Sequence, residues 1–380
     1  MIYLDYAATT PIREEALQVY MEVSRHYFGN PSSLHDCGTQ ANHLLEICRK
    51  ELADKINAEP EGIYFTSGGS ESNFLAIRSL IDANKTKGNH IMTTSTEHSS
   101  VYNLCKQLEK EGFCVTYLQV DQYGQVKVED VRDAITDQTI FASIHHANSE
   151  IGTIQPIEQI GQLLHEHQII FHSDCVQTFG KVPIDVKKAK IDSLSISSHK
   201  IYGPKGVGAC YINPSVVWKS LVPGTSHEKG FRSGTVNVPG IASFITAAQL
   251  ICNEMEEATK YYTILRDKLI SGIKDINHEV VVEGHPKNSL ANIIGLSVSG
   301  TQGQYVMLEY NRHEIAISTG SACQIGQQTP SKTMLALGKS PDEAKQLIRL
   351  SFGRVTEEIH IEKALEVLNI ITKQINYRTT

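Results

Sequence analysis

Short apolar or β-branched runs alternate with amphipathic stretches through the first two thirds of the chain. Ile63–Thr66, His90–Thr94, Cys114–Val120, Thr139–His145, Ile169–His172, Ser193–Ser197 and Val207–Ile212 read as seven strands. Between several of them, Glu71–Ala83, Ser99–Glu111, Val128–Ile135 and Ile157–His167 read as helices. Strand–helix alternation of this kind predicts an α/β fold with a mostly parallel sheet covered on both faces. The last strand follows its predecessor through a Gly/Pro turn, so the seven-stranded sheet is expected to be mixed.

After Gly240 the texture changes. A long helical stretch, Ile241–Asp275, leads to strands near Val280–Glu283 and Asn292–Val298, then to more helices. The expected layout is a large domain, residues 14–250, and a smaller α+β domain. The latter combines residues 1–13 with 251–380, because LDYAATTP has the composition of an ordered loop rather than a frayed tail.

Composition narrows the function class. The 380 residues are 41% hydrophobic and 20% charged, which suits a globular chain with a full core. No run of about 18 apolar residues suggests a membrane span, and the N-terminus lacks a basic region followed by an apolar one. A formal charge of −7 leaves no nucleic-acid footprint. A soluble cytoplasmic protein is expected, with neither a membrane nor a direct nucleic-acid partner. Of the eight cysteines no two form C-x-x-C, and most are expected to be buried hydrophobes. None of the sixteen histidines has a helical metal-ligand spacing with a matching partner, so no bound metal is expected.

Ligands of open α/β sheets gather beyond the carboxyl ends of the strands, and three such ends carry unusual polar residues. Ile63–Thr66 runs into Ser67-Gly68-Gly69-Ser70 ahead of a helix, where Gly69 and Ser70 could seat a phosphate. An ordinary Gly-rich turn capped by Ser70 is the alternative. Asp174 follows the strand Ile169–His172, where a carboxylate needs a partner such as a protonated pyridine nitrogen; it could instead cap the next turn. Ser193–Ser198 delivers Lys200 to the glycine-rich turn Ile201-Tyr202-Gly203-Pro204-Lys205-Gly206. A Schiff-base lysine needs a partly desolvated site, although most lysines are solvated surface charges. Lys205, inside the turn, is the decoy.

SSHKIYGPKG, together with DYAATTP, FGNPSS, TEHSSV, NSEIG, RSGT and STGSAC, resembles the cysteine desulfurases of NifS/IscS type. These are fold-type-I pyridoxal-phosphate enzymes of the class V aminotransferase group, and the similarity runs from residue 3 to about 356. The resemblance implies pyridoxal 5'-phosphate on Lys200, with Asp174 at the pyridine nitrogen and Gln177 at the phenolic oxygen. It implies His98 stacked over the ring for proton transfer, and a phosphate held by Gly69, Ser70, Ser197 and His199. Thr235 would reach the phosphate of a neighbouring subunit in a homodimer. Asn148, also beside the cofactor, and Arg349 would orient the substrate, L-cysteine. For His98 a helix cap, for Asn148 a turn and for Arg349 a surface position are the plainer alternatives.

Cys323 decides the reaction. It precedes the polar stretch Gln324-Ile325-Gly326-Gln327-Gln328-Thr329-Pro330, which lacks helical or strand periodicity and reads as a mobile loop. The resemblance marks Cys323 as a persulfide carrier that hands sulfur to an acceptor protein, for iron–sulfur assembly or thiolation. Its spacing from Pro330 matches the family's long-loop branch. Two departures stand out: Thr225-Ser226 where many relatives have Gly-Gly, and Ser149 in place of a second Asn. The rival activities on this scaffold are selenocysteine lyase and class V transaminase. A protein that merely binds a sulfur acceptor, without catalysis, is the rival from outside enzymology.

Overall fold

A computed structural model describes residues 1–320 and 329–379. The chain opens with the two-residue strand β1 (Ile2–Tyr3), followed by helices α1 (Glu14–His26) and α2 (Asp36–Asp54). The hydrophobic pattern had not disclosed these helices, and α1 shows why: only Ala16 and Val23 of its thirteen residues are buried. Its stability comes from packing along a later helix rather than from a broad apolar face.

Seven strands form the main sheet: β2 (Ile63–Thr66), β3 (His90–Thr94), β4 (Cys114–Leu118), β5 (Thr139–Ser143), β6 (Ile170–Asp174), β7 (Ser193–Ser197) and β8 (Gly208–Ile212). Their order is β2-β8-β7-β6-β5-β3-β4. The sheet is parallel except that β8 runs antiparallel to both neighbours, β2 and β7. The expected mixed sheet is therefore present, with β4 and β5 each ending two residues early. β6 runs later than expected and takes in Asp174 as its last residue. Helices α3 (Gly69–Asn84), α4 (Ser99–Lys110), α5 (Val128–Ala134) and α6 (Ile157–Glu166) lie between the strands.

Helix α7 (Val238–Lys274) has 37 residues, about 55 Å of helix, and joins two cores. Phe244, Ile245 and Ala248 pack into the core around the large sheet. Leu265, Leu269 and Ile273 pack into a second core instead. That core covers the antiparallel strands β9 (Val280–Glu283), β10 (Ile293–Val298), β12 (Ser318–Thr319) and β13 (Leu347–Ser351), in the order β12-β13-β10-β9. Helices α8 (Gly303–Arg312) and α10 (Glu358–Thr379) close it, and β11 (Ile315–Ala316) pairs in parallel with β1. The short α9 (Lys332–Ala336) follows residues 321–328.

The opening residues touch both parts. Leu4 sits in the second core, whereas Thr10 N donates to His199 O at 2.9 Å and Arg13 N to Tyr202 O at 2.9 Å.

Candidate active site

The strand order gathers the three polar strand ends. Thr66 pairs with Gly208, Gly208 with Ser197, and Asp174 with Ser195, so β2, β7 and β6 end on one edge of the sheet. Gly208 makes this possible: a Cβ there would lie 2.6 Å from the Cα of Gly68, which folds directly over it.

At that edge Gly68 and Gly69 turn into α3, a 16-residue helix with its N-terminus at Gly69. The Ser197 hydroxyl is buried and has no hydrogen-bond partner among the described residues, and it lies 3.7 Å from where a Gly68 Cβ would be. A buried orphan hydroxyl beside a helix N-terminus is a donor set waiting for an anion. Glu71 and Arg232 form an ion pair at 3.0 Å next to the turn, and Glu71 also accepts from Ser67 N.

Lys200 Nζ donates to Ala7 O at 2.6 Å and to Ala8 O at 2.7 Å. Gln177 Nε2 donates to the same Ala7 carbonyl at 3.0 Å. The DYAATTP segment is therefore the floor on which Lys200 and Gln177 meet. His199 Nδ1 lies 3.1 Å from Thr9 Oγ1. Burial, reinforced by Lys200, Lys205 and Lys181, pulls His199 down to about 4, so its imidazole is neutral at pH 7. Lys181 is a residue the sequence reading missed. Burial, Lys200 and Arg349 lower its ammonium to about 7, and its Nζ reaches Gln177 Oε1 at 3.4 Å.

Asp174 is buried, and each of its carboxylate oxygens accepts one hydrogen bond. Oδ1 accepts from Val176 N at 3.0 Å and Oδ2 from Asn73 Nδ2 at 2.7 Å. His98 caps α4, its Nδ1 accepting from Ser100 N at 3.2 Å, with the ring exposed. The capping alternative is thus realised at one ring nitrogen, Nδ1.

Asn148 is buried and ties several segments together. Its Oδ1 accepts from Glu150 N and Ile151 N, while Nδ2 donates to Thr96 O and Thr333 Oγ1. Arg349, on β13, is buried rather than superficial. It donates to Asp5 Oδ1 at 2.7 Å and to Ser149 O at 2.9 Å, and its Nε has no partner among the described residues. Ser149 contributes a backbone carbonyl here, so its departure from Asn leaves this contact intact.

Glu150 was also missed. Burial raises its carboxyl to about 7 despite the nearby Ser331, Arg349, Thr333 and His98. Its Oε2 accepts from Ser331 Oγ and lies 2.7 Å from where a Gly320 Cβ would stand. Gly320 and Ser331 flank the segment that includes Cys323; Cys323 itself lies outside the described residues. Thr235 is exposed, and among the described residues no hydrogen bond joins it to the Gly68–Gly69 turn. The Thr225-Ser226 segment precedes Glu228, whose carboxylate is held by Arg49 in a buried pair at 3.0 Å and by Phe65 N at 2.7 Å.

Cys48, Cys105, Cys175 and Cys210 are buried, each thiol pushed up to about 12 chiefly by desolvation. They are packing residues, as expected; Cys37 and Cys114 are exposed. Among the described residues there is no cluster of metal-ligating side chains, and no helix is long and apolar enough to cross a membrane.

The residues present fit pyridoxal phosphate: an orphan hydroxyl and helix N-terminus for the phosphate, a buried carboxylate for the ring nitrogen, and a lysine at the adjoining strand end. A profile described as aminotransferase class-V matches residues 2–363. A Bacillus subtilis (strain 168) relative bearing the NifS name is 50% identical over 376 residues, 98% of this chain and 95% of its own length. The cysteine desulfurase IscS of Methanosarcina thermophila is 43% identical over 374 residues, 98% of this chain and 92% of its own. Among solved structures, a NifS-like protein superposes with a TM-score of 0.91 at 32% identity, covering 97% of this chain and 98% of its own.

Proposed function

The chain belongs to the aminotransferase class-V family, among its NifS/IscS-type cysteine desulfurases, and on that footing we propose that it moves the sulfur of L-cysteine to Cys323 using pyridoxal phosphate seated at Lys200. Gly69, Ser70, Ser197 and His199 hold the phosphate, Asp174 the ring nitrogen and Gln177 the phenolic oxygen. Thr235 serves the site of the second subunit in a homodimer. When bound, the cofactor supplies an electron sink for the substrate's α-carbon.

The chain's own groups do the rest. Arg349 grips the substrate carboxylate through guanidinium hydrogens that remain available, beginning with Nε. Asn148 holds the wall beside it. The Lys200 amine, on a flexible four-carbon stem, takes the α-proton, and His98 passes protons through Nε2. The Cys323 thiolate attacks the substrate's sulfur: an S–S bond forms, the Cβ–S bond breaks, a proton reaches the former Cβ, and the α-proton returns to Cα. The products are L-alanine and a persulfide on Cys323, so atoms balance without an external oxidant or reductant. A cytoplasmic acceptor protein, such as an iron–sulfur scaffold or a thiolation partner, then removes the outer sulfur.

The carrying observation is the shared Ala7 carbonyl, which brings Lys200 and Gln177 together three residues beyond Asp174. The test is spectroscopic and chemical. Protein loaded with pyridoxal phosphate should show a visible band that Lys200→Ala abolishes. Incubation with L-cysteine should add about 32 Da to the peptide containing Cys323 and release alanine, and Cys323→Ser should lose both. A keto acid in place of alanine, or undiminished sulfide release by Cys323→Ser, would overturn the reading.

A further inference from the structure

Asn73 lies on α3, almost one helical turn beyond Ser70, with its side chain buried against the sheet edge. Its carboxamide is spent on three partners, none in its own helix. Nδ2 donates to Asp174 Oδ2 at 2.7 Å and to Ser100 Oγ at 3.0 Å. Oδ1 faces His172 Nε2 at 3.1 Å.

The direction of every hydrogen in this network follows from its chemistry. An ionised carboxylate only accepts, so the amide nitrogen must face Asp174 and the amide oxygen must face His172. Burial lowers His172 to about 4, so it carries one ring proton at neutral pH. That proton sits on Nε2, toward Asn73, and Nδ1 accepts from the Ser193 hydroxyl at 3.0 Å. On the other side, His98 Nδ1 already accepts the backbone N–H of Ser100 and so carries no proton. The Ser100 hydroxyl, 2.8 Å from Nδ1, therefore donates to it while accepting from Asn73. A neutral His98 then has its proton on Nε2.

We propose that Asn73 is a positioning residue: one buried amide orients Asp174 and, by setting the direction of the Ser100 hydroxyl, reinforces the Nε2–H tautomer of His98 that the Ser100 backbone N–H already favours. This rests on the roles given above to Asp174 and His98, and adds the coupling between them. Both N–H groups of a single side chain are used, one for the acid at the ring nitrogen and one for the proton-transfer residue. Neither partner can shift without straining the other's hydrogen bond. A purely architectural asparagine would glue α3 to β6 and affect stability, but it would not act through Asp174 and Ser100 separately.

The experiment compares protein loaded with pyridoxal phosphate in four forms: wild type, Asn73→Leu, Asn73→Ser and Ser100→Ala. Loss of a hydrogen bond to a charged group corresponds to a change of about tenfold or more. Both Asn73 variants should release the cofactor about tenfold faster on dilution and shift its visible band. Ser100→Ala should keep the wild-type band and release rate but form alanine several-fold more slowly. In an Asp174→Asn background, Asn73→Ser should add less than about twofold to release. Wild-type release and band in Asn73→Ser, or a full further loss in the Asp174→Asn background, would overturn the proposal. Unchanged alanine formation by Ser100→Ala would remove its His98 arm. Wild-type protein that takes up no pyridoxal phosphate would instead sink the cofactor reading itself.

Discussion

Arg349 donates to the Asp5 carboxylate at 2.7 Å, joining a strand of the second sheet to the chain's opening segment. The ion pair is mostly shielded from solvent and, together with the Ser149 carbonyl on Nη1, fixes the guanidinium, whose buried Nε has no partner among the described residues. Arg349→Lys removes the planar fork and should raise the KM for L-cysteine about tenfold or more, with a smaller fall in kcat. Asp5→Asn keeps the arginine but loosens its aim, and should raise KM several-fold. Steady-state alanine formation measures both.

Glu150 makes stability depend on pH in a defined direction. Its folded carboxyl titrates at about 7, above its ordinary value of 4.5, because burial disfavours the charge. Between those values the folded state holds more protons than the unfolded state, so stability falls as pH rises from about 4.5 to about 7. Replacing Glu150 by Gln removes this dependence. Denaturant unfolding should show Glu150→Gln gaining on the wild type across that window, by about 3 kcal/mol in all.

The Arg49–Glu228 pair should be among the costliest polar contacts to break. Both side chains are buried, and Glu228 also receives Phe65 N. Glu228→Ala leaves an arginine buried with its main counter-charge gone, which costs about 3–5 kcal/mol. Thermal and denaturant unfolding read this directly. Because Glu228 anchors the segment leading to Arg232 and Thr235, cofactor retention should weaken as well.

Gly69→Ala probes the phosphate turn by shape alone. The added Cβ would come 2.5 Å from Val176 Cγ2, two residues beyond Asp174. A β-branched side chain in a tight strand end yields poorly, and overpacking of this kind costs about 1–3 kcal/mol. Loaded protein should lose pyridoxal phosphate about tenfold faster than wild type on dialysis, with only a modest fall in Tm.

Much of this protein can be read from its amino-acid order, because the relevant forces are local. Alternating apolar runs and amphipathic stretches disclosed the seven strands and the four intervening helices. Glycine-rich turns after strands marked Gly69 and the Lys200 turn, where a backbone must pass close to a neighbour. Helix α1 stayed hidden because its apolar stripe is narrow and its partner, α7, lies some two hundred residues away in sequence, whereas α2 carries Ala41, Leu45, Cys48 and Leu52 at helical spacing and was legible in principle.

Asn73, Lys181 and Glu150 were illegible for a related reason. Nothing in the sequence distinguishes a buried amide, ammonium or carboxyl from a solvated one, since the difference lies in neighbours contributed by other segments. Asn73 meets Asp174 only because β6 passes α3, and Glu150 meets Ser331 across 181 residues of chain. The sequence by itself determined the residue types, their order and the strand ends that carry them, all set by short-range preference. The tertiary structure alone decided which hydrogen-bond donor faces which acceptor, because burial and long-range pairing exist only once the sheet has closed its order.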